Sequence, residues 1–269
     1  MTIAELHGKL APKRPGGFYE RMEDLLTSDV FGTMKYAGWE QGFMDWLRSA
    51  QRPWESGKNA EELFPNNKDI KEVCYQFWPI LRNGKEPDLL IEIHEKGGSI
   101  AAVMIEAKYL SGPSNFDIEG EFTVAEVSGD QIADQINYFP VSLGEANEKE
   151  INVRNHIYIT AHFMCPIETF RDSRKKIRRH DVSYFWLNWQ NLPAFLEEKI
   201  HKVDARTRSI LADLLDLLKR KELVPFKGFQ SSQLKHPSIF PEQSFWRDEW
   251  WSIPTIPEIF KIKGFWREI

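Results

Sequence analysis

The sequence predicts an α/β protein in which helices flank a mixed β-sheet. Apolar runs of strand length alternate with segments of helical period, and they follow an initial meander of strands. No internal repeat divides the 269 residues, and a hydrophobic content of 42% can bury one sizeable core. We therefore expect one main domain, residues 1–224, followed by an extension of different composition, residues 225–269.

Two helical segments open the domain. The stretch "GFYERMEDLLTSDVFGTMKYAG", residues 17–38, places its apolar residues at roughly helical spacing. Thr27 and Ser28 are good capping residues, so we expect a break between two helices at this point. The stretch "EQGFMDWLRSA", residues 40–50, continues as helix.

Five strands are predicted after these helices. The stretch "EVCYQFWPIL", residues 72–81, forms the first strand, and "EPDLLIEIHEKGGSIAAVMIEAKYL", residues 86–110, contains the next two. The last two strands are "NVRNHIYITAH" and "VSYFWLN", separated by the basic helix "IETFRDSRKKI". A helix also lies in "VSGDQIADQINYF", and the amphipathic "TRSILADLLDLLKRK" predicts another, for which Asp204 is the expected N-cap.

The extension is rich in proline, lysine and aromatic residues. Four of the ten tryptophans lie in it: Trp246, Trp250, Trp251 and Trp266. These side chains either pack back onto the main domain or form a surface for a protein partner or a homodimer. The second interpretation follows from the preference of interface centres for Trp and Arg.

Composition limits the classes of function. The net charge of −5 gives no support to a dedicated duplex-binding module, which needs a basic surface. The chain has no apolar run of membrane-spanning length, and its start lacks the apolar core of a secretory signal, so we expect a cytoplasmic protein with no membrane partner. The chain lacks the glycine-rich phosphate-binding loops that are typical of NTPases and dinucleotide enzymes.

Cysteines and histidines give no clear site. Cys74 and Cys165 lie singly in apolar surroundings, with no CxxC motif or Cys/His cluster, and we expect both to be inert core thiols. His94, His156 and His162 lie on predicted strands without a nucleophile motif nearby, so we interpret them as core or edge histidines.

Charged residues at the ends of the second and third strands are the main functional signal. The unbroken apolar run from Ile100 to Ile105 predicts a central strand covered on both faces. Glu106 and Lys108 follow it directly, and the two-residue period of a strand points both to the same face. Asp88 stands at the start of the preceding strand.

The turn between these strands decides whether the two acids meet. A three-residue loop, Lys96 to Gly98 with Gly98 in the left-handed conformation, pairs Glu95 with Ser99. Asp88 then falls directly opposite Glu106. A two-residue loop would place the carboxylates on opposite faces, so a functional site requires an odd loop length or a β-bulge.

Gathering like charges at a covered strand end is costly unless something pairs with them. Mg²⁺ is the natural partner, because it takes oxygen ligands, here Asp88, Glu106 and the backbone carbonyl of Ala107. Lys108 could orient the attacking water and offset charge on the phosphate. The pattern predicts metal-assisted phosphodiester hydrolysis. We expect Mn²⁺ to substitute for Mg²⁺ in this reaction. The alternative is a surface hairpin with a routine ion pair.

At these residues the sequence resembles the PD-(D/E)XK nuclease superfamily, which has a restriction-endonuclease-like fold. The stretch "EPDLLIEI" matches the PD half with Asp88, and "MIEAKYL" matches the ExK half with Glu106 and Lys108. The resemblance covers residues 18–188. It implies a restriction-endonuclease-like mixed sheet flanked by helices, a Mg²⁺ cofactor and nuclease activity.

The resemblance also implies contributions from two helices. Members often supply a further acid from a preceding helix, and we choose Glu23 over Glu20 as the residue that adds a metal ligand directly or through a water. Many members carry a QxxxY-like helix after the ExK strand. Here Gln131, Gln135 and Tyr138 share one helical stripe, so the chain has QxxxQ in place of QxxxY. Either glutamine could orient the helix or contact phosphate.

Gln131 has a structural alternative. The stretch Ser128-Gly129-Asp130-Gln131 fits an S-x-x-Q capping box, in which the glutamine reaches back to the start of its own helix. We leave both interpretations open.

The resemblance implies a Mg²⁺-dependent endonuclease that acts on DNA, with RNA as an open alternative. By analogy alone, compact bacterial proteins of this kind resemble effectors of restriction or anti-phage defence. The competing hypothesis is a catalytically silent, nuclease-like adaptor that holds a partner protein through its Trp-rich extension. The negative net charge favours the adaptor, and the intact Asp88, Glu106 and Lys108 set favours the enzyme.

Overall fold

The computed structural model describes residues 18–55, 59–109, 128–143 and 149–225. The aromatic extension, apart from Pro225, lies outside the described residues, as do both interpretations of its tryptophans. No helix within the described residues is both long enough and apolar enough to cross a bilayer.

Helices and strands alternate along the described residues as an α/β protein requires. The α-helices are α1 (Phe18–Ala37), α2 (Phe43–Arg48), α3 (Gln131–Asn137), α4 (Ile167–Arg174), α5 (Leu192–Ile200) and α6 (Ala205–Arg220). The strands are β1 (Ile70–Phe77), β2 (Leu89–Glu95), β3 (Ile100–Ala107), β4 (Ser142–Leu143), β5 (Lys149–Glu150), β6 (Val153–Thr160) and β7 (Ser183–Asn188). Short 3-10 helices span Glu61–Leu63, Asn67–Asp69 and Trp189–Asn191.

Five strands form one mixed sheet in the order β1-β2-β3-β6-β7. β1, β2 and β3 form an antiparallel meander, whereas β6 and β7 run parallel to β3. The short strands β4 and β5 pair separately. The predicted α/β class, with a mixed sheet and flanking helices, is confirmed.

Both faces of the sheet are covered, and β3 is buried along its whole length. Leu89, Ile91 and Ile93 of β2 belong to a large core that includes residues of α1, α2, α5 and α6. Leu90 points the other way, into a second core that includes residues of α3 and α4. The prediction that the apolar run of β3 is a central strand is therefore confirmed.

α1 is one continuous helix, so the predicted break at Thr27 and Ser28 is wrong. Both side chains are buried in the middle of the helix, at 0% and 2% exposure. Packing against the core outweighs their preference for a capping position. At the other end of the domain, the Asp204 side chain accepts from the backbone N–H groups of Arg206 and Thr207, which confirms it as the N-cap of α6.

β1 ends at Phe77, four residues earlier than predicted. Trp78, the next residue, has a φ of 48°, in the left-handed region that strands exclude. The chain then turns, with the N–H of Leu81 donating to the carbonyl of Lys85 at 2.8 Å. The apolar residues of "WPIL" thus belong to a turn that leads towards β2.

The β2–β3 turn has the predicted register. Gly98 has a φ of 92°, and the N–H of Glu95 donates to the carbonyl of Ser99 at 2.9 Å. Leu89 pairs with Ile105 at the far end of the hairpin. Continuing this register by one residue sets Asp88 opposite Glu106, so the three-residue loop is confirmed.

Candidate active site

Four charged side chains converge at one end of the sheet. Glu23 comes from α1, Asp88 precedes β2, Glu106 lies in β3 and Lys108 follows it. Their exposed fractions are 6%, 7%, 2% and 4%, respectively. The structure therefore brings together, in a buried position, the four charged side chains that the sequence analysis selected.

Lys108 lies at the centre of this charged cluster. Its Nζ is 2.9 Å from Oε1 of Glu23 and 2.7 Å from Oε1 of Glu106. The backbone N–H of Tyr109 donates to the other oxygen of Glu23 at 3.1 Å. Both carboxylate oxygens of Glu23 are thereby fixed to the residues that end β3. The side chain of Glu20, the second choice, lies outside the described residues.

Asp88 is held from two sides. Its Oδ2 accepts from the backbone N–H of Ala107 at 2.8 Å, and its Oδ1 accepts from the indole N–H of Trp78 at 3.3 Å. The backbone N–H of Trp78 also donates to the carbonyl of Asp88 at 3.0 Å. The left-handed backbone of Trp78, a conformation uncommon for a bulky residue, therefore lies where it positions a site carboxylate.

Each of the two candidate glutamines donates one hydrogen bond to the carboxylate of Glu106. Nε2 of Gln131 donates to Oε1 at 2.7 Å, and Nε2 of Gln135 donates to Oε2 at 2.6 Å. The four-residue spacing puts both glutamines on one stripe of α3, which faces β3. Both residues thus reach the charged cluster.

The capping-box interpretation of Gln131 is wrong. The N-cap of α3 is Asp130, whose side chain accepts from the backbone N–H of Ala133 at 2.9 Å. Gln131 is therefore the first residue of the helix, whereas a capping box with Ser128 would need it at the third.

His156 supports the site from β6 and was not selected from the sequence. Its Nε2 lies 2.8 Å from Oε1 of Gln135. An amide oxygen only accepts, so Nε2 carries the proton. Burial lowers the pKa of His156 to about 3, which keeps the imidazole neutral. A chain of hydrogen bonds therefore runs from His156 through Gln135 to Glu106.

Two residues of the site, His156 and Trp78, were not predicted, and only His156 has a signal that could have revealed it. β6 pairs with β3 so that Tyr158 lies beside Glu106 and His156 beside Met104. His156 and Glu106 thus share a face, which the topology of a parallel pair would reveal. Trp78 had no such signal, because its role depends on a backbone conformation that its residue type disfavours.

Three carboxylates surround one ammonium group in this cluster. Burial raises the pKa of Asp88 well above its ordinary value, and the nearby Glu106 raises it further, against the opposing effect of Lys108. Burial alone would lower the pKa of Lys108, but Glu106, Glu23 and Asp88 together raise it above its ordinary value. Lys108 is therefore held as an ammonium, and the cluster lacks positive charge.

The carboxylate oxygens of this cluster are the donor type that a hard divalent cation takes. Each carboxylate oxygen can accept in about two directions. Each oxygen of Asp88 takes one of the described hydrogen bonds, and Oε2 of Glu106 takes only that from Gln135. These oxygens keep room for a cation, whose charge would offset the excess of carboxylates. The ligand set expected from the sequence would add Glu23 and the carbonyl of Ala107.

The charged cluster and the two glutamines bring together residues from four separate parts of the sequence. The residue set consists of Glu23, Asp88, Glu106, Lys108, Gln131 and Gln135. It lies where the antiparallel meander meets the parallel part of the sheet. Comparisons of the chain with protein-family models, with curated proteins and with solved structures found no match.

Proposed function

We propose that the chain is a Mg²⁺-dependent nuclease with a restriction-endonuclease-like fold, which hydrolyses phosphodiester bonds in DNA. The observation that carries the proposal is the position of Asp88 opposite Glu106, with Lys108 in contact with Glu106 at 2.7 Å. A cytoplasmic role in restriction or anti-phage defence extends the proposal through the family resemblance.

The cation would be held by Asp88, Glu106 and the carbonyl of Ala107, with Glu23 as a direct or water-mediated ligand. When bound, Mg²⁺ supplies Lewis-acid polarisation of a phosphoryl oxygen and a lowered pKa for a coordinated water, and Mn²⁺ can do the same. Asp88 is already fixed by Trp78 and Ala107, so little side-chain ordering remains for metal binding.

Lys108 acts on the nucleophile and the phosphate. Its ammonium is a point donor beside Glu106, suited to orient an attacking water and to offset negative charge that develops on the phosphate. Gln131 and Gln135 hold the plane of the Glu106 carboxylate. A carboxylate fixed in this way presents the same oxygen to the cation in every turnover.

One observation favours the non-enzymatic alternative, a nuclease-like adaptor. Glu23, Asp88, Glu106 and Lys108 are all buried, and Lys108 already bridges two of the acids. A closed ion-pair cluster of this kind can serve as structure alone. The adaptor hypothesis predicts no Mg²⁺ binding at the cluster and no cleavage of nucleic acid.

A cleavage assay distinguishes the two functions. The substrates are supercoiled plasmid, linear duplex, single-stranded DNA and RNA, each with Mg²⁺, Mn²⁺ or EDTA. The test variants are Asp88→Asn and Lys108→Met. The matched controls are Asp216→Asn and Lys219→Met, which change an exposed acid and lysine 3.8 Å apart on α6. Mg²⁺ binding is measured calorimetrically on the same preparations.

We expect metal-dependent cleavage by the wild type and both controls, with a loss of at least about 100-fold in both test variants. Equal cleavage by all five proteins would indicate contamination and remove the assignment. An inactive wild type that also fails to bind Mg²⁺ would favour the adaptor. Cleavage confined to RNA would replace the substrate and leave the catalytic residues unchanged.

A further inference from the structure

A second cluster of metal-ligating side chains lies on the β1–β2 hairpin, apart from the charged cluster. Cys74 of β1 pairs directly with Glu92 of β2, and His94 follows two residues later on the same face. Cys74 and His94 are half-buried, and Glu92 is buried. We propose that Cys74, Glu92 and His94 bind Zn²⁺.

The distances between the ligand atoms suit a small cation. The sulfur of Cys74, a carboxylate oxygen of Glu92 and a ring nitrogen of His94 all lie within 4.8 Å of one another. Nε2 of His94 is 3.2 Å from Oε2 of Glu92. Ligand atoms around tetrahedral Zn²⁺ lie about 3.3–3.7 Å apart, given bonds of about 2.0–2.3 Å. Side-chain rotations alone can close the difference, because two paired strands already fix the backbones.

The donor types select Zn²⁺ over Mg²⁺. A thiolate and an imidazole are the ligands that Zn²⁺ prefers, whereas Mg²⁺ requires oxygen. Four residues separate Glu92 from Asp88 along one face of the hairpin, about 13 Å at the rise of a strand. The zinc site is therefore distinct from the charged cluster and does not depend on the proposed nuclease function.

A neighbouring glutamine orients one of the three ligands. Nε2 of Gln76 donates to Oε1 of Glu92, which turns the other oxygen towards His94. Glu72 is the cross-strand partner of His94. Cys74, Glu92 and His94 therefore form a three-ligand set, which leaves the fourth position of a tetrahedral Zn²⁺ open to water.

The site has a mechanical role in this topology. β1 is an edge strand of the sheet and pairs only with β2 among the described strands. Zn²⁺ would join the two strands across their outer part, where Glu72 and Cys74 face His94 and Glu92. Bound metal should therefore stabilise the hairpin that also carries Asp88.

Cobalt substitution tests the proposal with a signal specific to the thiolate. Metal-free protein, prepared by chelation, is titrated with Co²⁺ and then with Zn²⁺. A cysteine ligand gives a sulfur-to-cobalt charge-transfer band in the near ultraviolet, which oxygen ligands of the charged cluster do not produce. The variants are Cys74→Ser, His94→Gln and Glu92→Gln. Cys165→Ser and Asp88→Asn serve as controls.

We expect a charge-transfer band that saturates at one Co²⁺ per chain and that Zn²⁺ abolishes. Cys74→Ser should lose the band, and His94→Gln should weaken Zn²⁺ binding at least about 100-fold. Cys165→Ser and Asp88→Asn should keep both properties. A wild type without the band, or a band that survives in Cys74→Ser, would overturn the proposal. Circular dichroism of each variant confirms that a lost band does not reflect unfolding, and a Zn²⁺-dependent rise in the melting temperature should accompany binding.

Discussion

Gln135 donates its side-chain amide to Oε2 of Glu106 at 2.6 Å, in a position where Gln135 has no exposed surface. The amide oxygen of the same residue accepts from His156 at 2.8 Å. Because an amide has one donor side and one acceptor side, His156 determines which side faces Glu106. His156 therefore helps to orient Glu106, a proposed metal ligand, although the two residues are linked only through Gln135.

His156→Ala should therefore reduce cleavage by about 10- to 100-fold, the usual effect of removing a residue that orients a metal ligand. His156→Gln should recover much of the loss, because its amide can donate to Gln135 in place of Nε2. We expect His156→Ala to lower kcat and to leave KM for DNA nearly unchanged, because the fully buried His156 does not reach the substrate. Equal activity of His156→Ala and the wild type would show that Gln135 keeps its orientation without the histidine.

The neutral His156 also predicts a pH dependence of stability. Burial lowers its pKa from 6.5 to about 3, so between these values the unfolded chain binds a proton that the folded chain refuses. The free energy of unfolding should fall as the pH falls through this window, by up to about 1.4 kcal/mol per pH unit. Urea unfolding at several pH values measures the slope, and the difference between wild type and His156→Gln isolates the histidine. Parallel curves for the two proteins would contradict the prediction.

Asp88→Asn should stabilise the metal-free protein at neutral pH. Burial and Glu106 raise the pKa of Asp88, so above pH 3.8 the unfolded chain releases a proton that the folded chain retains, and stability falls as the pH rises. The asparagine removes this cost. Mg²⁺ should reverse the ranking: at 100 times Kd it stabilises the wild type by about 2.7 kcal/mol and the variant by nothing. Thermal unfolding with EDTA and with Mg²⁺ measures both effects. A lower melting temperature for Asp88→Asn in EDTA would contradict the charge argument.

The β2–β3 turn offers a matched pair of glycine substitutions. Gly98 has a φ of 92°, and Gly97 has no left-handed φ, while a Cβ on either would meet nothing within 4 Å. Gly98→Ala should therefore cost about 1–2 kcal/mol through the backbone alone, and Gly97→Ala should be neutral or slightly stabilising. Chemical denaturation measures both. A large cost for Gly97→Ala would show that the turn is constrained by more than φ.

Deleting Gly97 tests the register directly. A two-residue loop moves Asp88 to the face opposite Glu106, so cleavage and Mg²⁺ binding should both be lost. The control is Gly97→Ala, which keeps the loop length. A deletion variant that still binds Mg²⁺ with the wild-type affinity would exclude Asp88 as a ligand.

The hairpin was predictable because its constraints are local. A glycine pair, a proline at the strand entrance and an unbroken apolar run left one loop length that joins Asp88 to Glu106, and the structure has that register. Gln131 and Gln135 were predictable as a pair because the period of a helix links them.

Tertiary contacts decided the features that were missed. Thr27 and Ser28 favour a cap locally, but burial keeps them inside α1. Trp78 ends β1 through a left-handed φ that its residue type disfavours, and in that position its indole and backbone N–H groups both bond to Asp88. His156 required knowledge that β6 lies beside β3. Cys74 and His94 became neighbours only through the pairing of β1 with β2.

The wide spacing of the charged cluster has a consequence for the cell that makes this protein. Glu23 and Lys108 are in direct contact but lie 85 residues apart in the sequence. The indole N–H of Trp189, a further 81 residues downstream, donates to the carbonyl of Lys108. A ribosome adds roughly 5–20 residues per second, so the acids and the lysine exist for several seconds before Trp189 is made. During that interval a growing chain carries every charged residue of the proposed active site without β6, β7 and the indole of Trp189. For the proposed nuclease, late assembly would keep unfinished chains from cleaving the nucleic acid around them.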